Sequence, residues 1–117
     1  MARVRRRWFA RSLAAAVVAV ALPGCLSPTL PLPPPSKPTV EGPDEQGNVT
    51  LAGSVRAGAT VYAQNNVTLS GVFTSDTPNG DYVLVLPANV GDEISVWYSL
   101  GIDMSSAVVF IVPNPDN

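Results

Sequence analysis

The side chains that could do chemistry in this chain are few. Its 117 residues include one cysteine and no histidine, which excludes imidazole metal sites and both the Ser-His-Asp and Cys-His forms of nucleophilic catalysis. No serine has a base near it in the sequence, and the one lysine, Lys37, lies in a proline-rich segment. We therefore predict no catalytic residue, no cofactor and no metal ligand, and a protein that is not an enzyme.

The single thiol, Cys25, stands just after a short apolar run. Five of the seven basic residues lie among the first eleven positions, the apolar run covers residues 13–22, and Pro23 and Gly24 follow it. This three-part layout is typical of a secretory signal peptide, which we place at residues 1–24. A permanent transmembrane helix is the weaker alternative, because it needs about 20 apolar residues. Since positive charges stay on the cytoplasmic side, the rest of the chain is expected outside the cytoplasm.

The residues around this thiol resemble the lipobox of bacterial lipoproteins. Leu22 stands three residues before Cys25 and Gly24 directly before it, as signal-peptidase recognition in that family requires. The resemblance implies a diacylglycerol on the Cys25 sulfur, a further acyl chain such as palmitate on its amine, and stable membrane anchoring. An ordinary free thiol is the alternative. Leu26 stands where Asp would retain a lipoprotein in the inner membrane, so the resemblance favours the outer membrane.

A second resemblance concerns the route of export. Arg6 and Arg7, followed by Trp8 and Phe9, resemble the twin-arginine signal, which implies translocation of a folded domain. Any arginine-rich amino end contains such pairs, so the general secretory route stays open.

A proline-rich segment follows the thiol. Six of the twelve residues 27–38 are proline, and proline neither enters a helix interior nor donates to a sheet. We interpret residues 25–38 as the lipidated cysteine and an extended spacer of about 35 Å, at about 3.1 Å per residue. The alternative is a docking motif, since Pro31 and Pro34 have the spacing of proline-rich ligands.

Residues 39–117 have the pattern of one small all-β domain. Short runs of β-branched and aromatic residues alternate with Gly, Asn, Asp and Pro. The predicted strands are 48–52, 59–63, 67–74, 81–86, 93–99 and 107–112, with a possible edge at 39–41. Asn79-Gly80 is the strongest turn signal, and Asn65-Asn66 could form the centre of a hairpin. Six or seven such strands favour a β-sandwich, because each sheet must bury one face.

Alternation along these strands predicts which side chains point inward. Ile94, Val96 and Tyr98 share one face of their strand, and Trp97 points the other way. The strand at 81–86 and the strand at 107–112 are apolar on both faces, which suggests either a central position in a sheet or a second covered face.

Four segments carry a resemblance to bacterial immunoglobulin-like domains and to carboxypeptidase regulatory-like sandwiches. They are Gly-Ser-Val-Arg-Ala-Gly-Ala-Thr-Val-Tyr-Ala at 53–63, Leu-Ser-Gly-Val-Phe at 69–73, Asn-Gly-Asp-Tyr-Val-Leu-Val-Leu-Pro at 79–87 and Val-Gly-Asp-Glu-Ile-Ser-Val at 90–96. The resemblance covers about residues 39–113. It implies a sandwich fold, and it leaves function open among spacers, adhesin stalks and modules that bind carbohydrate or protein.

Trp97 is the candidate ligand contact, because an exposed aromatic on a sandwich often contacts a sugar ring or a protein. The alternative is burial under the loop at residues 100–106. Asp76, Asn79 and Asp81 cluster around one turn and could offer oxygen ligands to Ca²⁺, although turn residues that cap the backbone are the simpler interpretation. The adjacent Asp92 and Glu93 would face opposite sides of a strand and cannot pair as acid and base.

Charge narrows the class of partner. After residue 24 the chain carries two basic and nine acidic residues, a net charge of −7, which argues against nucleic acid, since phosphate binding requires clustered cations. The sequence predicts a membrane-anchored binding or interaction module for an envelope protein or a glycan. The alternative is a structural or spacer lipoprotein of the envelope with no soluble ligand.

Overall fold

The computed structural model describes residues 32–115, which form eight β-strands and contain no helix. The strands are β1 (Thr39–Glu41), β2 (Asn48–Ser54), β3 (Thr60–Asn65), β4 (Gly71–Thr74), β5 (Asp81–Pro87), β6 (Glu93–Leu100), β7 (Asp103–Met104) and β8 (Val108–Ile111). The predicted all-β class is confirmed.

The strands form two antiparallel sheets. One has three strands in the order β1-β2-β5, and the other has five, in which β4, β3 and β6 lie side by side. Strands β7 and β8 pair with different parts of β6, on the edge of β6 opposite to β3. The predicted β-sandwich is confirmed, with β7 as an additional two-residue strand inside the region that the sequence assigned to a loop.

The core lies between the sheets because each strand buries every second side chain. Strand β5 alternates strictly between exposed and buried residues, and β6 buries Ile94, Val96 and Tyr98 as predicted. Each such side chain contributes about 1.5–3 kcal/mol when removed from water. The buried apolar residues are Val49, Leu51, Ala59, Val61, Ala63, Tyr82, Leu84, Leu86, Ala88, Ile94, Val96, Tyr98, Phe110 and Val112.

The predictions of a central position and of a second covered face were both wrong, since β5 and β8 each pair with a single strand among the described residues. Val83 and Val85 on β5, and Val109 and Ile111 on β8, are each more than half exposed. No further layer lies over either sheet within the residues described, and β-branched residues suit a half-exposed strand without one.

The hairpin between β3 and β4 also differs from the prediction. Strand β4 begins at Gly71 rather than at residue 67, and Asn65 is a fully buried residue at the end of β3 instead of the centre of the turn. Its side-chain oxygen accepts hydrogen bonds from the backbone N–H groups of Val67 (2.9 Å) and Thr68 (3.2 Å). The loop therefore spans residues 66–70, and Leu69 takes a φ of 66° within it.

The Asn65 amide also ties this loop to the neighbouring one. Its Nδ2 donates to the Pro87 carbonyl oxygen (3.2 Å) and to Asp92 Oδ2 (2.9 Å). The same Asp92 oxygen accepts the backbone N–H of Asn89 at 2.9 Å. These two hydrogen bonds, first that of Asn89 and then that of Asn65, hold the pKa of Asp92 below its ordinary value.

At the opposite end of the sandwich, the predicted turn at Asn79-Gly80 is present. Gly80 has a φ of 89°, and its carbonyl oxygen accepts the Val55 N–H at 2.8 Å. A Cβ at this position would lie 2.2 Å from the Val55 carbonyl oxygen. Glycine is thus required both by the backbone conformation and by the approach of the loop that follows β2.

Part of the proline-rich segment belongs to the domain. Pro35 and Pro38 are buried and Leu32 is half-buried, and the spacing of three residues is the period of a polyproline II helix. Leu32 forms a parallel bridge with Ser105, and the Lys37 ammonium lies 5.8 Å from the centre of the Phe110 ring. Residues 32–38, which the sequence assigned to the spacer, thus pack on the domain. They pass from the β7 edge of one sheet to the β1 edge of the other.

A close approach across β2 and β5 generates a first prediction. A Cβ on Gly53 would lie 2.6 Å from the hydroxyl oxygen of Tyr82, its cross-strand partner. That buried hydroxyl has no hydrogen-bond partner among the described residues, and burial raises its pKa.

We expect Tyr82→Phe to change the free energy of unfolding by less than about 1 kcal/mol, since it removes no hydrogen bond. Gly53→Ala should destabilise by about 1–3 kcal/mol, because the Tyr82 ring must move. Urea unfolding measures both. A loss in Tyr82→Phe as large as that in Gly53→Ala would show that the hydroxyl has a partner.

The lowered pKa of Asp92 generates a second prediction. Its contribution to stability is complete above the ordinary pKa of 3.8 and is lost as the pH falls through the lower pKa of the folded state. Asp92→Asn keeps an oxygen that can accept both hydrogen bonds but removes the titration. Between neutral pH and strong acid, the urea midpoint of Asp92→Asn should therefore fall less than that of the unaltered chain. Equal acid destabilisation of the two proteins would contradict the assignment.

Candidate functional site

Three aromatic side chains lie side by side on the outer face of the five-stranded sheet. Tyr62 on β3 is paired in register with Phe73 on β4 and with Trp97 on β6. All three point outward because their neighbours along the strands, such as Val61 and Val96, fill the core. We call Phe73, Tyr62 and Trp97 the aromatic row.

The rings of the aromatic row support one another. Tyr62 and Trp97 are stacked, with centroids 5.5 Å apart and planes 12° from parallel. Tyr62 and Phe73 are tilted by 32° at a centroid distance of 6.1 Å. Such contacts contribute about 0.5–1.5 kcal/mol beyond the burial of area. The row is therefore an ordered surface, held in place by its own contacts.

A groove of about 280 Å³ adjoins the aromatic row. The three aromatic rings contribute to its walls, and Gln64 and Gly71, which lie opposite each other on β3 and β4, also line it. Since Gly71 has no side chain, the space beside Gln64 stays open. The Gln64 side chain forms no hydrogen bond within residues 32–115, so its amide is available to a ligand.

Neutral polar groups border the row on both sides. The Tyr62 hydroxyl lies 3.4 Å from Ser99 Oγ, and beyond it Thr60 Oγ1 and Ser75 Oγ are 3.1 Å apart. On the other side, Ser95 Oγ accepts a hydrogen bond from Asn66 Nδ2 at 2.8 Å. The groove itself has no charged residue among its lining groups. This arrangement combines apolar ring surface with uncharged hydrogen-bonding groups.

The structure places Trp97 as the alternation predicts, opposite the buried face of β6. Trp97 is half-buried, and the Tyr62 ring is stacked beside it. Sequence reasoning missed Tyr62 and Phe73. Their outward direction could have been read from alternation, but their contact with Trp97 depends on the pairing of β3 with β4 and β6.

Of the two acidic residues weighed as calcium ligands, Asp81 has another partner for its carboxylate. Asp81 Oδ1 accepts a hydrogen bond from Ser54 Oγ at 2.8 Å, and the backbone N–H of Asp76 donates to Thr74 Oγ1 at 3.2 Å. Within the described part of the chain, no three acidic, cysteine or histidine side chains come together to hold a metal ion.

Asp92 and Glu93 engage different groups. Asp92 Oδ2 accepts a hydrogen bond from Asn65 Nδ2 at 2.9 Å, whereas Glu93 Oε1 accepts one from Asn66 Nδ2 at 3.1 Å. The two carboxylates thus have separate structural partners at neighbouring loops.

The residues predicted for export and lipidation, namely Arg6, Arg7, Phe9, Leu22, Gly24 and Cys25, lie outside the described residues. Among residues 32–115, no helix has the length and apolar character needed to cross a bilayer.

Comparisons of the chain with protein-family models, with curated proteins and with solved structures give no match.

Proposed function

We propose that this chain is an exported lipoprotein, anchored through Cys25 on the outside of a bacterial membrane, whose sandwich binds a neutral glycan at the aromatic row. The observation that carries the binding proposal is the ordered row of three aromatic rings beside an uncharged groove. The signal layout and the residues before Cys25 support the anchor, and Leu26 favours the outer membrane over the inner one.

The chemistry of the row favours a glycan over other partners. Sugar rings present apolar C–H faces, which pack on aromatic rings, and hydroxyl edges, which pair with neutral donors and acceptors. The Gln64 amide, the Ser99 hydroxyl and the Tyr62 hydroxyl offer such groups next to the rings. A charged peptide would find no charged side chain in the groove to neutralise it.

The position of the row supports a role in binding rather than in folding. Phe73 is 68% exposed, and no described segment covers the row. An exposed aromatic cluster contributes less to stability than the same rings would in the core, so its retention on the surface is typical of a contact site. A spacer without ligand, the alternative function, would use the contacts between the rings but not the open groove beside them.

We expect Trp97→Ala to reduce glycan affinity at least tenfold, because the groove loses a wall and Tyr62 loses its stacked neighbour. The measurement is calorimetric titration of the full chain with neutral oligosaccharides selected on a glycan array. Phe73→Ala should also weaken binding, while lowering the free energy of unfolding by no more than about 0.5–1.5 kcal/mol, the contribution of its contact with Tyr62.

The matched control is Val85→Ala, which removes a similarly exposed apolar side chain from the outer face of the other sheet. It should bind like the unaltered chain. Full affinity in Trp97→Ala, or selection of a protein rather than any glycan, would contradict the proposal.

The anchor has its own test. Bacteria that express the chain and are fed radiolabelled palmitate should yield a labelled protein in the membrane fraction. Cys25→Ser should abolish the label, because no other thiol is present in the chain. An unlabelled protein that retains residues 1–24 would disprove lipidation.

A further inference from the structure

The two ends of the sandwich differ in their relation to the proline-rich segment. Leu32 forms a parallel bridge with Ser105, the residue that follows β7. Strand β7 begins directly after the turn at residues 101–102. The described chain therefore enters the sandwich from the end where that turn lies. We call this end the tether end. It also carries the loops at residues 55–59 and 75–80, because β3 and β5 both start there.

The length of chain between the proposed lipid and the domain sets a limit on distance. Seven peptide units join Cys25 to Leu32, and at about 3.6 Å per residue they span no more than about 25 Å. The eight residues of β6 alone cover about 27 Å. Residues 32–38 pack on the domain and add no further length to this connection. A lipid on Cys25 would therefore keep the tether end within about one strand length of the bilayer.

The turn at the tether end exposes apolar side chains. Ile102 is fully exposed at its tip, and Met104, two residues later on β7, is 56% exposed. A fully exposed isoleucine at the tip of a hairpin buries nothing in the domain. An apolar tip of this kind is suited to the boundary between lipid headgroups and acyl chains.

The charges at the tether end do not attract a lipid surface. Asp103 adjoins Ile102, and Asp76 and Asp81 lie on or next to the loop before β5. Among the loop residues described at this end, Arg56 is the one cation. These carboxylates give no attraction to anionic lipid. The contact would depend on the apolar tip and on the proximity that the anchor imposes.

We infer that the tether end docks on the lipid bilayer to which the protein is anchored, with Ile102 inserted at the headgroup boundary. This inference rests on the proposed lipidation of Cys25. Docking would hold the sandwich in one orientation, with the loops at residues 66–70 and 88–92 pointing away from the membrane.

The experiment uses the lipidated full chain with one engineered thiol. Because the only native thiol is Cys25, which lipidation consumes, a cysteine introduced by Ile102→Cys takes an environment-sensitive NBD label alone. The labelled protein is reconstituted into phosphatidylethanolamine and phosphatidylglycerol vesicles that contain spin-labelled lipid. The matched control is Leu69→Cys, since Leu69 is 71% exposed at the opposite end.

The NBD label at position 102 should be blue-shifted and quenched by the spin-labelled lipid at least threefold more than the label at position 69. Met104→Cys, a second position, should show intermediate quenching. Equal, water-like signals at all three positions in protein that floats with the vesicles would overturn the docking and leave the anchor intact. Protein that does not float with vesicles would overturn both.

Discussion

The register between β3 and β6 is the constraint on which the core and the aromatic row both depend. In this pairing Val61 lies opposite Tyr98 and Ala63 opposite Val96 on the inner face, while Tyr62 lies opposite Trp97 on the outer face. A slip of one residue would exchange the two faces of a strand and expose its core residues. The same burial that stabilises the sandwich therefore fixes the contact between the rings, and the outer surface is as well defined as the core.

Buried hydrogen bonds at the two ends maintain this register. At one end, the Asn65 side chain uses both its donor and its acceptor atoms on two loops, so its burial leaves no polar atom without a partner. At the other end, the buried hydroxyl of Thr77 donates to the Ala59 carbonyl oxygen, and the Gly58 N–H donates to the Thr77 carbonyl oxygen at 2.7 Å. Residues 32–115 contain no cysteine, so this small sandwich gains from such fixed loops the order that a disulfide supplies elsewhere.

The sequence was informative where the structure depends on local pattern. Alternation located most strands to within about two residues and assigned the inward side chains of β6, and the Asn79-Gly80 turn followed from glycine's access to positive φ. The pattern could not show which strands pair, so the partners of Trp97 were missed. It also misplaced Asn65, because an asparagine that favours a turn by its own chemistry is here held in a strand end by groups distant in the chain. The two residues of β7 are too few to carry a period.

The prolines show how composition alone can mislead. A segment that is half proline favours an extended chain, because proline neither enters a helix interior nor donates to a sheet. Extension does not imply freedom, however, because a three-residue period places Leu32, Pro35 and Pro38 on one side, where the gap between the two sheet edges accepts them. The segment closes the sandwich and loses little chain entropy in doing so, since proline is already restricted in the unfolded state. The packing of residues 32–38 on the domain thus shortens the distance between the sandwich and any attachment point that precedes residue 32.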